Sequence, residues 1–234
     1  MMSRAGIFQV LKSSINLVFK KYGLFGILFL FFTLKGFSGQ SYSIPVSNKH
    51  NTDTLKVLFV GNSLTFYNDL PSLVRKQALS QGIQLQTEML AFPNYALMDH
   101  WVDGKVQQLI SENNYAYVVI QQGPSSQDYG REILFEYGQK FKQLCSKYGT
   151  ELAYFMVWPS KRYYNTFAAV IANHRDASKV NNAILCPVGE LWKNHFDATG
   201  DFSYYTNDGF HPSMLGSEMA AKVICEALFP SPKD

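Results

Sequence analysis

The sequence contains only three cysteines among its 234 residues. Cys145, Cys186 and Cys225 are far apart, so the chain has neither a Cys-x-x-Cys redox motif nor the spacing of a structural zinc site. No group of His, Asp and Glu residues has the spacing of a catalytic metal site either. Each cysteine stands in an apolar pattern, which favours a buried small side chain, although an oxidising compartment would permit one disulfide.

Nucleotide-binding motifs and a basic patch are also missing. The sequence has no Gly-x-Gly-x-x-Gly and no P-loop pattern. Five of the 21 Lys and Arg residues lie in residues 1–39, which contain no acidic residue, so the rest of the chain has 16 basic against 18 acidic side chains. We therefore expect no nucleotide cofactor and no nucleic-acid partner.

Residues 1–39 have the order of an export signal. A cationic stretch ends at Lys20-Lys21, an apolar run of 13 residues extends from Tyr22 to Leu34, and small residues follow. That run is short for a bilayer span and suits the apolar region of a signal peptide. We expect an exported protein, periplasmic or extracellular, with a signal peptide or signal anchor at 1–39 and a linker at 40–54. An uncleaved anchor would be its only link to a membrane.

Residues 55–234 alternate between apolar strand-like runs and amphipathic helical stretches. The predicted strands are Val57–Val60, Leu85–Phe92, Tyr117–Gln121, Leu152–Trp158 and Ala183–Val188. The predicted helices are Leu70–Gln81, Lys105–Glu112, Arg131–Tyr148, Phe167–Asn181 and Ser213–Phe229. This alternation predicts an α/β fold, a three-layer α/β/α sandwich around a five-stranded parallel sheet.

The two ends of this region contain the residues best suited to catalysis. Ser63 follows the first strand by a tight turn at Gly61, and Asp208 and His211 are three residues apart near the other end. A serine hydroxyl is a weak nucleophile that needs a base, and an Asp-oriented imidazole is such a base. If the segments meet, Ser63, His211 and Asp208 form a triad; otherwise Ser63 is a helix cap and His211 a loop residue.

Other polar or aromatic residues follow the remaining predicted strands. Asn94 comes after the second strand, Gln121 and Gln122 end the third, and Trp158 ends the fourth. In parallel sheets the carboxyl ends of the strands share one edge, where ligands bind. We therefore expect these residues near Ser63.

The end motifs resemble a known superfamily. Gly61-Asn-Ser63-Leu-Thr is similar to the first block of the SGNH, or GDSL-type, hydrolases, and Asp208-Gly-Phe-His211-Pro is similar to their last block. Tyr117-Val-Val-Ile-Gln-Gln-Gly-Pro-Ser125 and Met156-Val-Trp-Pro159 look like an exported bacterial branch. The resemblance covers the whole of residues 55–234 and implies a flavodoxin-like fold, no cofactor, no metal, and an esterase, lipase, thioesterase or carbohydrate deacetylase activity.

The two middle blocks depart from the superfamily pattern. Its members usually place an oxyanion-binding glycine after the second strand and Gly-x-Asn-Asp after the third. Here the segments read Phe92-Pro-Asn94-Tyr-Ala-Leu97 and Gln121-Gln122-Gly-Pro-Ser-Ser126. Proline has no N–H, so Asn94 is the better candidate for the oxyanion donor in the segment after the second strand. In the segment after the third strand, a glutamine amide can replace the asparagine of the usual block. Gln122 is preferred over Gln121.

The resemblance implies hydrolysis of a small-molecule or glycan ester through an acyl-enzyme, with short acyl groups on carbohydrate as the first choice. Alternatives are a lipid esterase or lysophospholipase, an acyltransferase, and a carbohydrate-binding protein without activity. Trp158 and Tyr163-Tyr164 either form a platform for a sugar ring or pack in the core. His100 either lines the pocket or is structural, and we favour the structural role; we expect His174 and His195 to lie on helix surfaces.

Overall fold

The computed structural model of the protein describes residues 54–230. The predicted signal segment, 1–39, lies outside the described residues, as does the predicted linker except for Thr54. Among the described residues, no helix is both long enough and apolar enough to cross a membrane.

The chain forms five strands and eight α-helices within the described range. The strands are β1 (Leu55–Gly61), β2 (Leu85–Ala91), β3 (Tyr117–Ile120), β4 (Glu151–Phe155) and β5 (Ile184–Cys186). The helices are α1 (Ser63–Phe66), α2 (Leu70–Ser80), α3 (Leu97–Asp103), α4 (Lys105–Glu112), α5 (Asp128–Lys147), α6 (Phe167–Val180), α7 (Val188–Thr199) and α8 (Met214–Leu228). Short 3₁₀ turns occupy Tyr67–Asp69 and Lys161–Thr166.

The five strands form one parallel sheet in the order β2-β1-β3-β4-β5. β1 is an inner strand: Leu55 pairs with Leu85 of the edge strand β2 on one side, and Val57 pairs with Tyr117 of the middle strand β3 on the other. In this flavodoxin-like order the chain reverses direction of winding between β1 and β3, and ligands bind at that switch point. The predicted five-stranded α/β/α sandwich is confirmed.

Strand β1 contributes to both layers of the core. Val57 and Phe59 belong to the cluster shared with α2, α7 and α8, whereas Leu58 and Val60 belong to the cluster shared with α3, α4 and α5. All four side chains are completely buried. A strand covered on both faces needs a continuous apolar sequence, and this explains the Val-Leu-Phe-Val run.

Several expectations about single residues are tested by burial. Cys145, Cys186 and Cys225 are buried and unpaired, as small apolar side chains would be. His174 is not on a helix surface: it is fully buried in α6, where its Nδ1 lies 2.8 Å from the carbonyl oxygen of Val170. Burial lowers the pKa of His174 to about 4, so this imidazole is neutral at physiological pH.

Candidate active site

Ser63 is the first residue of α1, and only Asn62 separates it from the end of β1. Asn62 caps the helix, because its side-chain oxygen accepts a hydrogen bond from the Leu64 N–H at 3.2 Å. The Thr65 N–H donates to the Asn62 carbonyl. Among the described residues, the N–H of Ser63 itself has no partner, so it remains available beside its own hydroxyl.

The turn before Ser63 is held from below by Gln121. The Gln121 Oε1 accepts from the Asn62 N–H at 2.8 Å and from the Thr65 hydroxyl at 2.9 Å. A Cβ on Gly61 would lie 2.5 Å from that same oxygen, so only glycine lets the amide approach. Gln121 is 1% exposed, and its Nε2 is buried. Gln121 therefore supports the turn from the protein interior and is not accessible to a substrate, contrary to its predicted role in substrate binding.

Ser63, His211 and Asp208 form one hydrogen-bonded chain. The Ser63 Oγ lies 3.0 Å from the His211 Nε2, and the His211 Nδ1 lies 2.6 Å from the Asp208 Oδ2. Since a carboxylate oxygen accepts, the Nδ1–H donates to Asp208, and the Nε2 is left as the acceptor for the Ser63 hydroxyl. The two ends of the domain, 148 residues apart in sequence, thus meet in the arrangement that proton removal from serine requires.

The Asp208 carboxylate also organises the loop that carries His211. Its Oδ1 accepts from the Thr206 hydroxyl at 2.7 Å and from the N–H groups of Phe210 and His211 at 2.8 and 2.9 Å. Burial would raise the pKa of Asp208, but these hydrogen bonds and the one from His211 outweigh it and hold the pKa well below its usual range. Asp208 is therefore ionised at any pH at which the protein would work.

Two aromatic rings hold the His211 imidazole. Tyr67 stacks on it with ring centroids 4.4 Å apart and planes inclined by 15°, and the Phe210 ring approaches it edge-on at 5.1 Å. Asn68, next to Tyr67, donates from its Nδ2 to the Pro212 carbonyl at 3.0 Å and to the Ser217 hydroxyl at 2.9 Å. The segment after the nucleophile therefore orients the base from one side.

Trp158 also holds the His211 loop, and of its two predicted roles its burial favours packing in the core over contact with a substrate. Its side chain is completely buried and stacks on Trp192 at 3.5 Å between centroids, so it has no surface for a ligand. Its Nε1–H donates to the Phe210 carbonyl at 2.9 Å. The loop after β4 adds bonds from the Lys161 N–H to the Gly209 carbonyl and from the Tyr205 hydroxyl to the Pro159 carbonyl. Trp158 is thus a support of the His211 loop.

The segment after β2 lies against the nucleophile turn. The Asn62 Nδ2 donates to the Tyr95 carbonyl at 3.0 Å, and the Leu97 N–H donates to the Gln122 Oε1 at 2.8 Å. Asn94 is exposed and occupies the third position of a turn with φ of 62°, a conformation that asparagine tolerates. Within residues 54–230 the Gln122 Nε2 has no hydrogen-bond partner, and it is less enclosed than that of Gln121.

His100 supports the nucleophile turn from α3. It is 1% exposed, and its Nε2–H donates to the Gly61 carbonyl at 2.8 Å. Burial lowers its pKa, the hydrogen bond to Gly61 opposing this in part. The neutral ring is a structural group, which agrees with its sequence interpretation.

Sequence reasoning missed Tyr67, Asn68 and Phe210. Asn68 and Asp69 precede α2 and are of residue types that often cap helices, but neither side chain caps α2, and both residues have positive φ, 54° and 51°. Two consecutive residues that tolerate the left-handed region were the available signal for a sharp change of direction. Among the described residues, no group of three or more His, Cys, Asp or Glu side chains could hold a metal ion.

Known proteins resemble this chain in structure but not detectably in sequence. No protein-family model matches it, and no curated protein sequence does. A candidate SGNH hydrolase from Slackia heliotrinireducens superimposes with a TM-score of 0.64 at 19% identity, covering 76% of this chain and all of that one. A lipase/acylhydrolase from Enterococcus faecalis gives 0.60 at 14% identity, covering 74% and 94%. An acetyl xylan esterase gives 0.61 at 14% identity, covering 75% and 100%.

These matches cover 74–76% of this chain. The nucleophile turn lies at the carboxyl edge of the parallel sheet, and the Asp208–His211 loop is hydrogen-bonded to it there. The chain therefore has the fold of the SGNH, or GDSL-type, hydrolases.

Proposed function

We propose that the protein is a serine hydrolase that cleaves carboxylic esters through an acyl-enzyme. The observation that carries this proposal is the hydrogen-bonded chain from Ser63 through His211 to Asp208. The solved structures of similar fold include proteins named as lipase/acylhydrolase and acetyl xylan esterase, and both names describe ester cleavage.

The geometry supports the following steps. His211 takes the proton of Ser63 through Nε2 as the Oγ attacks the ester carbonyl, and the resulting imidazolium is stabilised by the Asp208 carboxylate. His211 then protonates the alkoxide, which leaves as the alcohol, and Ser63 keeps the acyl group. A water molecule, deprotonated by His211, attacks the acyl-enzyme; the acid leaves and the Ser63 hydroxyl regains its proton.

The negative charge on the carbonyl oxygen needs hydrogen-bond donors. The unpaired N–H of Ser63 is one donor, and the Nε2 of Gln122 is a second, because its Oε1 is fixed by the Leu97 N–H. Gln121 does not serve this role, since its amide is enclosed under the turn. Asn94 stands on the exposed adjoining turn and is the remaining candidate.

For the finer specificity we propose a short acyl group, such as acetyl, on a carbohydrate. Two of the similar structures are named as an acetyl xylan esterase and an acetyl-xylooligosaccharide esterase, whereas another is named as a lipase/acylhydrolase. A lipid esterase would hydrolyse aryl decanoate faster than aryl acetate. A deacetylase would prefer the acetate and release acetate from a partially acetylated xylotriose.

Covalent catalysis is tested with a fluorophosphonate probe and mass spectrometry of the adduct. We expect the label on Ser63, and no label in Ser63→Ala or His211→Ala. Ser125→Ala is a control, because Ser125 is fully buried and its hydroxyl donates to the Gly123 carbonyl. A folded protein that takes no label would support the non-catalytic carbohydrate-binding alternative, and transfer of acetyl to added sugar in preference to water would support an acyltransferase.

We also propose that the protein is exported, on the sequence pattern of residues 1–39. Fractionation of expressing cells and the amino-terminal sequence of the recovered protein test this proposal. Recovery of the uncleaved chain with the membrane would indicate a signal anchor, and recovery of the full chain in the cytoplasm would contradict export.

A further inference from the structure

A cavity of about 460 Å³ opens beside the candidate catalytic histidine. It lies between the loop after β3 and the loop after β4, and Phe210 forms part of its wall. The Phe210 ring also contacts the His211 imidazole, at 5.1 Å between centroids, so one residue borders both the cavity and the proposed base. A leaving group that His211 protonates would reach the cavity past Phe210.

The position of the cavity relative to the strands indicates which part of an ester would enter it. The segment after β2 lies on the outer side of β1, whereas the cavity lies beyond β3, next to β4. The donors proposed for the carbonyl oxygen, the Ser63 N–H and the Gln122 Nε2, follow the ends of β1 and β3. Both stand beside the β2 segment, because Asn62, next to Ser63, donates to the Tyr95 carbonyl and the Gln122 Oε1 accepts from the Leu97 N–H. The leaving alcohol is the part that receives its proton from His211, so the alcohol is the part that faces Phe210 and the cavity.

The lining is chemically mixed in a particular way. Pro124, Pro159, Tyr163 and Phe210 supply ring surfaces, and hydroxyl and amide groups supply the rest. Within residues 54–230, no charged side chain lines the cavity. Such a lining offers no charged partner to a phosphate or carboxylate head group. A long alkyl chain would leave its hydroxyl and amide groups without hydrogen-bond partners. It suits a neutral ligand with apolar faces and hydroxyl edges.

Tyr163 is the residue of this wall best placed to stack on such a ligand. Its side chain is 56% exposed, although its backbone is fixed on both sides. The Tyr163 N–H donates to the Ser160 carbonyl at 2.8 Å, and the Thr166 hydroxyl donates to the Tyr163 carbonyl at 2.8 Å. Tyr163 stands with the rings of Pro124, Pro159 and Phe210 around one cavity, so its exposed ring offers a face to a ligand there.

We infer that this cavity is the subsite for the alcohol part of the substrate, that it binds a neutral sugar ring, and that Tyr163 is a specificity-determining residue stacked on that ring. The inference deepens the proposed ester hydrolase function and rests on it. A larger cavity, of about 780 Å³ beside α7 and α8, does not compete for this role: Arg175, Glu190 and Glu226 line it, and no member of the Ser63–His211–Asp208 chain does.

The experiment measures binding separately from turnover. In the Ser63→Ala background, which cannot form the acyl-enzyme, partially acetylated xylotriose is titrated by calorimetry against proteins with and without Tyr163→Ala. Loss of one stacked ring should raise the Kd about five- to tenfold. Tyr148→Ala is the matched control, because Tyr148 is 39% exposed at the far end of α5, and it should leave the Kd unchanged.

In the protein with Ser63 intact, Tyr163→Ala should lower kcat/KM for the acetylated xylotriose about five- to tenfold through KM. The value for ethyl acetate, whose alcohol is too small to reach the ring, should stay the same. An unchanged Kd and unchanged kcat/KM for the sugar would overturn the inference and leave ester hydrolysis standing. A selective loss with aryl decanoate would overturn it in favour of an acyl-chain site. A protein that hydrolyses no ester but binds the sugar through Tyr163 would overturn the proposed function and keep the subsite.

Discussion

The side-chain amide of Asn68 donates a hydrogen bond to the carbonyl oxygen of Pro212, 3.0 Å away and 144 residues later in the chain. This bond joins the segment after the nucleophile to the residue after the proposed base. Asn68 has a positive φ of 54°, and in this conformation its side chain reaches the His211 loop. The distance between Ser63 and His211 therefore depends on a residue that contacts neither of them by hydrogen bond.

Two substitutions at Asn68 separate the effect of its hydrogen bonds from the effect of its backbone conformation. Asn68→Gly and Asn68→Ala both lose the bonds to Pro212 and Ser217, so we expect kcat for aryl acetate to fall about 10- to 100-fold in each. Asn68→Ala should also be less stable than Asn68→Gly by about 1 kcal/mol in urea unfolding, because alanine resists positive φ. Asn113→Ala, which removes an amide bonded to the Leu109 carbonyl away from the site, is the control. Unchanged kcat in both Asn68 variants would contradict the positioning role.

Two substitutions at Asp208 separate its charge from its place in the loop. Asp208→Asn keeps an oxygen for the N–H groups of Phe210 and His211 but loses the charge that fixes the imidazole tautomer. We expect kcat to fall about 10⁴-fold with little change in melting temperature.

Asp208→Ala removes the acceptor for those N–H groups as well. Its melting temperature should fall by about 3 °C in addition to the loss of activity, if one net hydrogen bond of about 1 kcal/mol is lost. Scanning calorimetry of both variants gives the comparison. Equal melting temperatures for the two would show that the Oδ1 contacts do not stabilise the loop.

Gly61→Ala tests the close approach beneath the nucleophile. The new Cβ would collide with the Gln121 Oε1 and the Thr65 hydroxyl, so we expect a loss of about 1–3 kcal/mol in stability and a strong loss of activity. Gly123→Ala is the matched control, because nothing lies within 4 Å of its Cβ position. Denaturant unfolding and aryl acetate turnover measure both effects. An active and stable Gly61→Ala protein would show that Gln121 does not need to sit so close.

The buried His174 should make stability fall in acid. Its pKa is lowered by burial to about 4, against about 6.5 in an unfolded chain. Between these values the unfolded state binds a proton that the folded state does not, so the free energy of unfolding falls as pH is lowered from 6.5 to 4, by up to about 3 kcal/mol.

His174→Asn tests this dependence, since its amide can still donate to the Val170 carbonyl. Urea unfolding at pH 7 and pH 5 should show a loss for the natural protein that is about 2 kcal/mol larger than the loss for the variant. The cavity left by the smaller side chain weakens the variant at both pH values and cancels in this difference. Equal losses would show that His174 does not set the acid sensitivity.

Much of the fold could be predicted from the apolar pattern. The helix at Lys105–Glu112 has the predicted bounds, and the predicted strand at Val57–Val60 lies inside β1, Leu55–Gly61. The predicted strand at Leu152–Trp158 was too long: β4 ends at Phe155, although the chain stays buried to Pro159. An apolar run reports burial, and burial continues past the last strand pairing because the His211 loop covers that segment.

The end motifs were sufficient to predict that Ser63, Asp208 and His211 meet, because both motifs resemble blocks of one superfamily. The strand order alone places only Ser63, since the Asp208–His211 loop follows the helix α7 and not a strand. The roles of Gln121 and Trp158 were harder to predict, because both depend on the direction of a side chain at a strand end. A shift of one residue exchanges a buried position for an accessible one, and sequence alone does not fix that parity after the pairing stops. Gln121 and Gln122 illustrate the point, since neighbouring amides serve the turn and the β2 segment respectively.

The stacked pair Trp158 and Trp192 gives the molecule an internal optical reporter. Two indoles 3.5 Å apart couple their strong electronic transitions, so we expect a pair of bands of opposite sign in the far-ultraviolet circular dichroism. Since the Trp158 N–H is bonded to the Phe210 carbonyl, displacement of that peptide group alters the surroundings of one indole of the pair. Movements of the histidine-bearing loop can thus be followed spectroscopically in the unlabelled protein.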